Sequence, residues 1–218
     1  MPQIVTFIGW HNSGKTTLAT QVVSHLKESG YRVAVIKSSK ETGLRFDKPG
    51  TDTDKHRQAG ADSILFVAPD QMVLMTHNNN LSLNALALRY FPDVDIVIGE
   101  GFKTAVNVAK IEVIRDAGEL LRNKVTGVIA VATDQNIAGD YIFRLDESRK
   151  ISSFIEKRFL LDAEKAAGKV SLLVNGATIS LTESDQDTLA ETVSAFVKSL
   201  KVPDEAQEIE LHIKLKRP

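Results

Sequence analysis

The sequence predicts a three-layer α/β/α domain with a mixed, mainly parallel sheet, followed by a small C-terminal α+β unit. The segment from Gln3 to Lys37 reads strand, glycine-rich turn, helix, strand, which implies a right-handed parallel crossover. Short apolar runs and helical patterns alternate from there to about residue 160. Beyond that point the texture changes to a compact hairpin, helix and strand pattern.

Gln3 to Gly9 has the continuous apolar character of a strand buried on both faces. A helix is expected from about Lys15 to Ser29, stopped by Gly30, and Arg32 to Lys37 is the next β-rich run. Further strands are predicted at Ser63–Ala68, Met72–Thr76, Asp95–Gly99, Lys110–Ile114 and Val128–Ala132. The first two of these, joined by Pro69-Asp70-Gln71, suggest a hairpin at the sheet's edge, which makes the expected sheet mixed. Leu83, Leu86, Ala87 and Tyr90 recur at helical spacing, as do Ile151, Phe154, Ile155 and Phe159.

An Ala/Lys-rich bridge from Asp162 to Lys169 sets the expected boundary, dividing a main domain of residues 1–160 from an extension of 161–218. Val170–Val174 and Ala177–Leu181 flank Asn175-Gly176, a strong short hairpin signal. A helix is expected from near Ser184 to Leu200, with Leu189, Val193, Phe196, Val197 and Leu200 as its apolar stripe and Pro203 marking its end. Glu208 to Lys214 alternates charged and apolar residues like a half-exposed strand. So short a unit has a thin core, and it is expected to pack on the main domain or on a second copy.

A chain of 218 residues suits one domain with a small appendage. The 27 Lys plus Arg nearly balance the 28 Asp plus Glu, so no global field recruits nucleic acid or an anionic membrane. Any anion site must be built locally. The absence of Cys excludes thiolate-bound zinc, disulfides and a cysteine nucleophile. Met1-Pro2-Gln3 lacks a basic leader, and no apolar run approaches the roughly 20 residues of a membrane span, so a cytoplasmic protein is expected. Histidines at 11, 25, 56, 77 and 212 show no paired metal-ligand spacing. Lys214, Lys216 and Arg217 read as a solvated basic tail.

Gly9-Trp10-His11-Asn12-Ser13-Gly14-Lys15-Thr16 matches G-x-x-x-x-G-K-[ST] between a predicted strand and a predicted helix, the setting a phosphate-binding loop requires. The fold class is therefore that of a P-loop NTPase. Gly9 and Gly14 let backbone N–H groups of the loop, from His11 through Asn12 and Ser13, wrap a polyphosphate. The helix start adds partial positive charge, Lys15 bridges the outer phosphates, and the Thr16 hydroxyl coordinates Mg²⁺. Thr17 either contacts the α-phosphate or is an exposed helix residue. Trp10 and His11 project from the loop, where each can touch ligand or simply pack.

Such a site needs an acidic residue at the carboxyl end of a neighbouring strand to orient the water around Mg²⁺. In Asp95-Ile96-Val97-Ile98-Gly99-Glu100-Gly101, Glu100 emerges at that end and Asp95 lies about 15 Å away at the strand's start, where it serves as a cap. The loop from Phe46 to Asp54 has two readings. Thr51 or Asp52 caps the next helix, or the loop is switch-like, with Asp52 reaching the Mg²⁺ shell or attacking water and Arg57 contacting an anion. Asp134 likewise is a turn residue, or it pairs with N1–H and N2–H₂ of guanine and selects GTP.

The P-loop with Thr16-Thr17, Asp47-Lys48-Pro49-Gly50-Thr51-Asp52-Thr53, Arg57-Gln58-Ala59-Gly60-Ala61 and Gly99-Glu100-Gly101-Phe102-Lys103 together resemble the molybdopterin-guanine dinucleotide biosynthesis protein B (MobB) family. The resemblance covers about residues 3–160 and extends to Lys110-Ile111 and Arg115-Asp116. The tail from about 161 looks like an extension found in some members. Where the family often carries histidines after the second strand, this chain has Lys37-Ser38-Ser39-Lys40-Glu41. The resemblance implies a homodimer that binds GTP with Mg²⁺ and hydrolyses it weakly. It further implies action beside the guanylyltransferase that attaches GMP to molybdopterin. The residues alone also allow a small-molecule kinase, with Asp52 as base, or a nucleotide-gated interaction module without turnover.

Overall fold

The computed structural model describes residues 2–115, 119–161, 170–200, 209–211 and 213. The opening unit forms as expected: β1 (Gln3–Ile8), α1 (Lys15–Glu28) and β2 (Val33–Lys37). After it come α2 (Asp52–Gln58), β3 (Ser63–Val67), β4 (Met72–Thr76), α3 (Leu83–Tyr90), β5 (Ile96–Glu100) and β6 (Ala109–Ile114). β7 (Val128–Thr133), β8 (Ile142–Phe143) and α4 (Ser148–Ile155) follow, and α4 runs on into a π-helical turn at Glu156–Leu160.

Six strands form one sheet in the order β2-β5-β1-β6-β7-β8, and every described pairing in it is parallel. β1 lies inside the sheet, so both its faces are covered, and apart from Gln3 and Thr6 its residues are apolar. On one face, Leu18, Val22 and Leu26 of α1 and Ile151 and Ile155 of α4 close over Val5, Phe7, Ile98, Ile111 and Val113. Leu26 and Ile155 have no solvent exposure, and truncating either to Ala costs about 2–5 kcal/mol. Tyr31 ties the two helices further by donating to Glu156 Oε1 at 3.0 Å. On the opposite face, Ala87 of α3 packs on Ala34 and Val97, completing the third layer.

The expected 63–76 hairpin forms, but not at the edge of this sheet. β3 and β4 pair antiparallel in a separate two-stranded sheet, and the main sheet is parallel without them. Their apolar side chains remain exposed, Val67 at 63% and Met72 at 69%. β8, only two residues long, was not legible as a strand.

The C-terminal hairpin forms as β9 (Leu172–Val174) and β10 (Ala177–Ile179), turning through Asn175 and Gly176 with φ of 51° and 79°. The helix α5 (Glu183–Ser199) starts in a capping box between Thr182 and Asp185. None of its residues is fully buried, in keeping with a thin core. The expected boundary at 162–169 and the basic tail lie outside the described residues. Within the predicted final strand, Ile209, Glu210, Leu211 and Ile213 are described and carry no strand assignment.

Candidate functional site

Parallel strands deliver their carboxyl ends to one edge of the sheet, and the loop after β1 opens there between the ends of β5 and β6. A Cβ on Gly9 would lie 2.4 Å from the Val113 carbonyl and 2.6 Å from Ser13 Oγ, so only glycine lets the loop pass that close to β6. Asn12 and Gly14 have φ of 59° and 89°. Gly14 caps α1 without a side-chain hydrogen bond, and the first turn of the helix holds no acidic residue. The helix terminus thus keeps its capacity for an anion.

Lys15 Nζ lies over this loop, donating to the Trp10 carbonyl at 2.5 Å and to Ser13 Oγ at 3.3 Å. Burial lowers its pKa most, Lys103 and Lys37 lower it further, and Glu100 opposes them. Thr16 Oγ1 donates to Glu100 Oε1 at 2.6 Å. This contact joins residues 84 positions apart in the sequence, because the sheet register sets Glu100 between Phe7 of β1 and Lys37 of β2. Glu100 is 12% exposed and pairs with Lys37 Nζ at 3.2 Å. A hydroxyl and a carboxylate, both hard oxygen donors beside a helix N-terminus, suit Mg²⁺ shared with phosphate oxygens and water. Among the described residues no group of three His, Cys, Asp or Glu could hold a metal by itself.

Asp95 sits at the other end of β5. Its carboxylate accepts the Arg32 backbone N–H at 2.7 Å and Arg32 Nη2 at 2.9 Å, a structural tie between β5 and β2. That hydrogen-bonded guanidinium holds its pKa below the ordinary value. Asp52 is 89% exposed and pairs with Lys55 on its own helix at 2.9 Å. Thr51 is the cap of that helix, with its side chain accepting from Asp54 N–H. The buried carboxylate here is Asp54, which accepts from Gly50 N–H at 2.8 Å, Gln58 Nε2 at 2.7 Å and Arg57 Nη2. Arg57 also pairs with Asp47 at 3.3 Å, so it is held within this network.

Asp134 follows β7, and its Oδ1 accepts Leu145 N–H at 3.2 Å opposite Arg144. His11, Asn12 and Thr17 are exposed, while Ser13 is buried within the loop. The structure therefore brings together Gly9, Ser13, Gly14, Lys15, Thr16 and Glu100, and sets Asp52 and Asp134 in local contacts of their own.

Three cations that the sequence motifs contain, but to which the sequence reading gave no role, stand around this loop. Lys37 meets Glu100, Lys103 Nζ lies 4.2 Å from the centre of the Trp10 ring, and Arg115 reaches to 3.2 Å from where a Gly14 Cβ would stand. On a chain of net charge −1 they concentrate positive charge at one loop. β6 also carries two buried charges, Lys110 at its start and Glu112 nearer the loop. Lys110 Nζ donates to the carbonyls of Ala105 at 2.6 Å and Thr126 at 2.7 Å. Glu112 accepts from Leu121 N–H at 2.5 Å and Arg122 N–H at 2.9 Å. Next to that turn, the Glu119 carbonyl accepts Trp10 Nε1–H at 2.8 Å, so Glu112 supports the loop indirectly.

Residues 4–134 match the family model described as molybdopterin guanine dinucleotide synthesis protein B. The chain belongs to this MobB family. The contacts of the Gly9–Thr16 loop, Glu100, Lys103 and Glu112 fall within the matched segment. The Escherichia coli molybdopterin-guanine dinucleotide biosynthesis adapter protein is 35% identical over 141 residues, covering 62% of this chain and 79% of that one. A Methanocaldococcus jannaschii relative is 25% identical over 241 residues, and the match spans 97% of each chain. The alignment with that relative therefore runs well beyond the segment that the family model matches. A crystal structure of molybdopterin-guanine biosynthesis protein B superposes with a TM-score of 0.60 at 30% identity, covering 71% of this chain and 98% of that one.

Proposed function

We propose that this MobB-family chain is an adapter of molybdopterin guanine dinucleotide biosynthesis that binds GTP with Mg²⁺ in the Gly9–Thr16 loop and hydrolyses GTP slowly. The observation that carries this reading is the 2.6 Å contact between Thr16 and Glu100, with Lys15 beside it. Bound Mg²⁺ would neutralise charge on the outer phosphates. Thr16 would hold it, Glu100 would orient its water, and Lys15 would bridge the phosphates. Asp134 would select guanine. Slow turnover fits a site whose candidate base, Asp52, is 89% exposed and paired with Lys55. The same exposure disfavours a kinase, which needs a base held against its acceptor.

The partners in this reading are molybdopterin and the guanylyltransferase that attaches GMP to it, in the cytoplasm. The family match and the Escherichia coli adapter support this pathway. A homodimer is part of the proposal, supported by the β3–β4 hairpin. It exposes Leu65, Phe66, Val67, Met72 and Leu74 on a two-stranded sheet, a surface a second copy can cover. Sedimentation that found only monomer at micromolar concentration would remove this part.

The functional test adds the purified protein to guanylyltransferase, molybdopterin, Mg²⁺ and limiting GTP. Product yield should rise with the wild-type protein and not with Lys15→Ala. Equal yields with and without the wild-type protein would refute the adapter reading.

A further inference from the structure

The turn that leaves β5 presents two side chains to the phosphate loop. Gly101 has φ of 98°, and a Cβ there would stand 3.1 Å from Ser38 Cβ. Phe102 follows with φ of 49°, a left-handed conformation unfavourable for an aromatic residue and of a kind that gathers at ligand sites. Hydrogen bonds from Gly101 N–H to the Phe7 carbonyl and from Ala105 N–H to the Phe102 carbonyl, both 3.0 Å, hold the turn. Glu100 enters it against Thr16, and Lys103 leaves it with Nζ 4.2 Å from the centre of the Trp10 ring.

Trp10 therefore carries two ammonium groups, Lys103 on its ring and Lys15 on its carbonyl. Among the described residues no carboxylate lies within ion-pair distance of Lys103. Lys103 is also one of the charges that depress the Lys15 pKa, so the two groups repel. Burial, and then Lys40, lower the pKa of Lys103 itself, against the attraction of Glu112. A polyanion between Lys15 and Lys103 converts that repulsion into two charge-assisted contacts.

We propose that Lys103 is a second phosphate-binding cation of this site. It leaves the Trp10 ring to contact the outer phosphates of a bound nucleoside triphosphate, and Trp10 is the platform on which it rests beforehand. The assignment builds on the reading of Gly9–Thr16 as the triphosphate cradle. A lysine that only clamped Trp10 would affect the loop's stability without regard to the number of phosphates.

Trp10 is the sole tryptophan of the sequence, so its fluorescence reports directly on this contact. Inorganic tripolyphosphate, GTP and GMP are titrated with Mg²⁺ into wild type, Lys103→Met and Lys103→Arg, with thermal melts to confirm folding. Lys103→Met should weaken tripolyphosphate and GTP by about tenfold or more and leave GMP unchanged. Lys103→Arg should recover most of the loss. The wild-type fluorescence should change as tripolyphosphate binds, and that change should vanish in Lys103→Met. Wild-type affinity for tripolyphosphate in Lys103→Met, or an equal loss for GMP, would overturn the assignment. If the wild type bound neither tripolyphosphate nor GTP, the cradle itself would fail and the role of Lys103 with it.

Discussion

Glu100→Gln separates the charge of the carboxylate from its shape. The side chain is 12% exposed, and its Oε1 accepts Thr16 Oγ1–H at 2.6 Å. The amide can still accept that bond through its oxygen, so nucleotide affinity without metal should change little. What is lost is a negative charge beside the ion, and removing such an outer partner typically weakens metal affinity about 10- to 100-fold. That range is about 1.4–2.7 kcal/mol. Lys37 also loses its 3.2 Å partner, but its side chain is 58% exposed, and a surface pair contributes at most about 1 kcal/mol. The assay is a Mg²⁺ titration at fixed GTP, read by calorimetry in wild type, Glu100→Gln, Thr16→Ala and the double variant. Glu100→Gln should raise the half-saturating Mg²⁺ by roughly tenfold or more, and the double variant should lose less than the two single losses combined. Asp95→Asn supplies the comparison, because its bonds to Arg32 at 2.7 and 2.9 Å are structural. It should lower the melting temperature and leave the Mg²⁺ dependence alone. A Mg²⁺ requirement in Glu100→Gln within twofold of wild type, or a larger shift in Asp95→Asn, would refute this placement of the metal.

Three further outcomes are expected. Glu112→Gln turns one acceptor of the Leu121 and Arg122 N–H groups into a donor, and should cost about 2–3 kcal/mol, a fall of roughly 5–10 °C in a thermal melt. An unchanged melt would show that these bonds are dispensable. Asp134→Asn should reduce the preference for GTP over ATP by roughly 5- to 150-fold in direct competition. Full retention would confine Asp134 to its bond with Leu145 N–H. Ending the chain at Leu161 should leave GTP affinity intact, because every proposed phosphate and metal contact precedes it; a folded, soluble truncation that no longer bound GTP would contradict the two-part organisation.

The Gly9–Thr16 loop was legible because its pattern is local. Gly9, Gly14, Lys15 and Thr16 lie within eight residues, between an apolar strand and a helix whose periods are distinct. Glu100 was legible by topology, as parallel strands bring their carboxyl ends to one edge. Lys103 was harder to read. It was quoted within the Gly99–Lys103 motif, but its approach to Trp10 depends on two left-handed residues, and Phe102 gives no sign of adopting one. Lys110 and Glu112 read as strand residues, and their burial depends on partners in the flanking loops and turn, Ala105, Thr126, Leu121 and Arg122. The β3–β4 hairpin shows the opposite limit. Two closely spaced apolar runs and a turn specify that Ser63–Thr76 pairs with itself, but an apolar strand does not reveal which surface covers it.

The central claim is that Lys15, Thr16 and Glu100 form one triphosphate and Mg²⁺ site. Calorimetric titration of GTP with Mg²⁺ into folded wild-type and Lys15→Ala protein tests it most directly. Saturable binding by the wild type, lost in Lys15→Ala at unchanged melting temperature, is the predicted result. Equal affinity in the two proteins would contradict it.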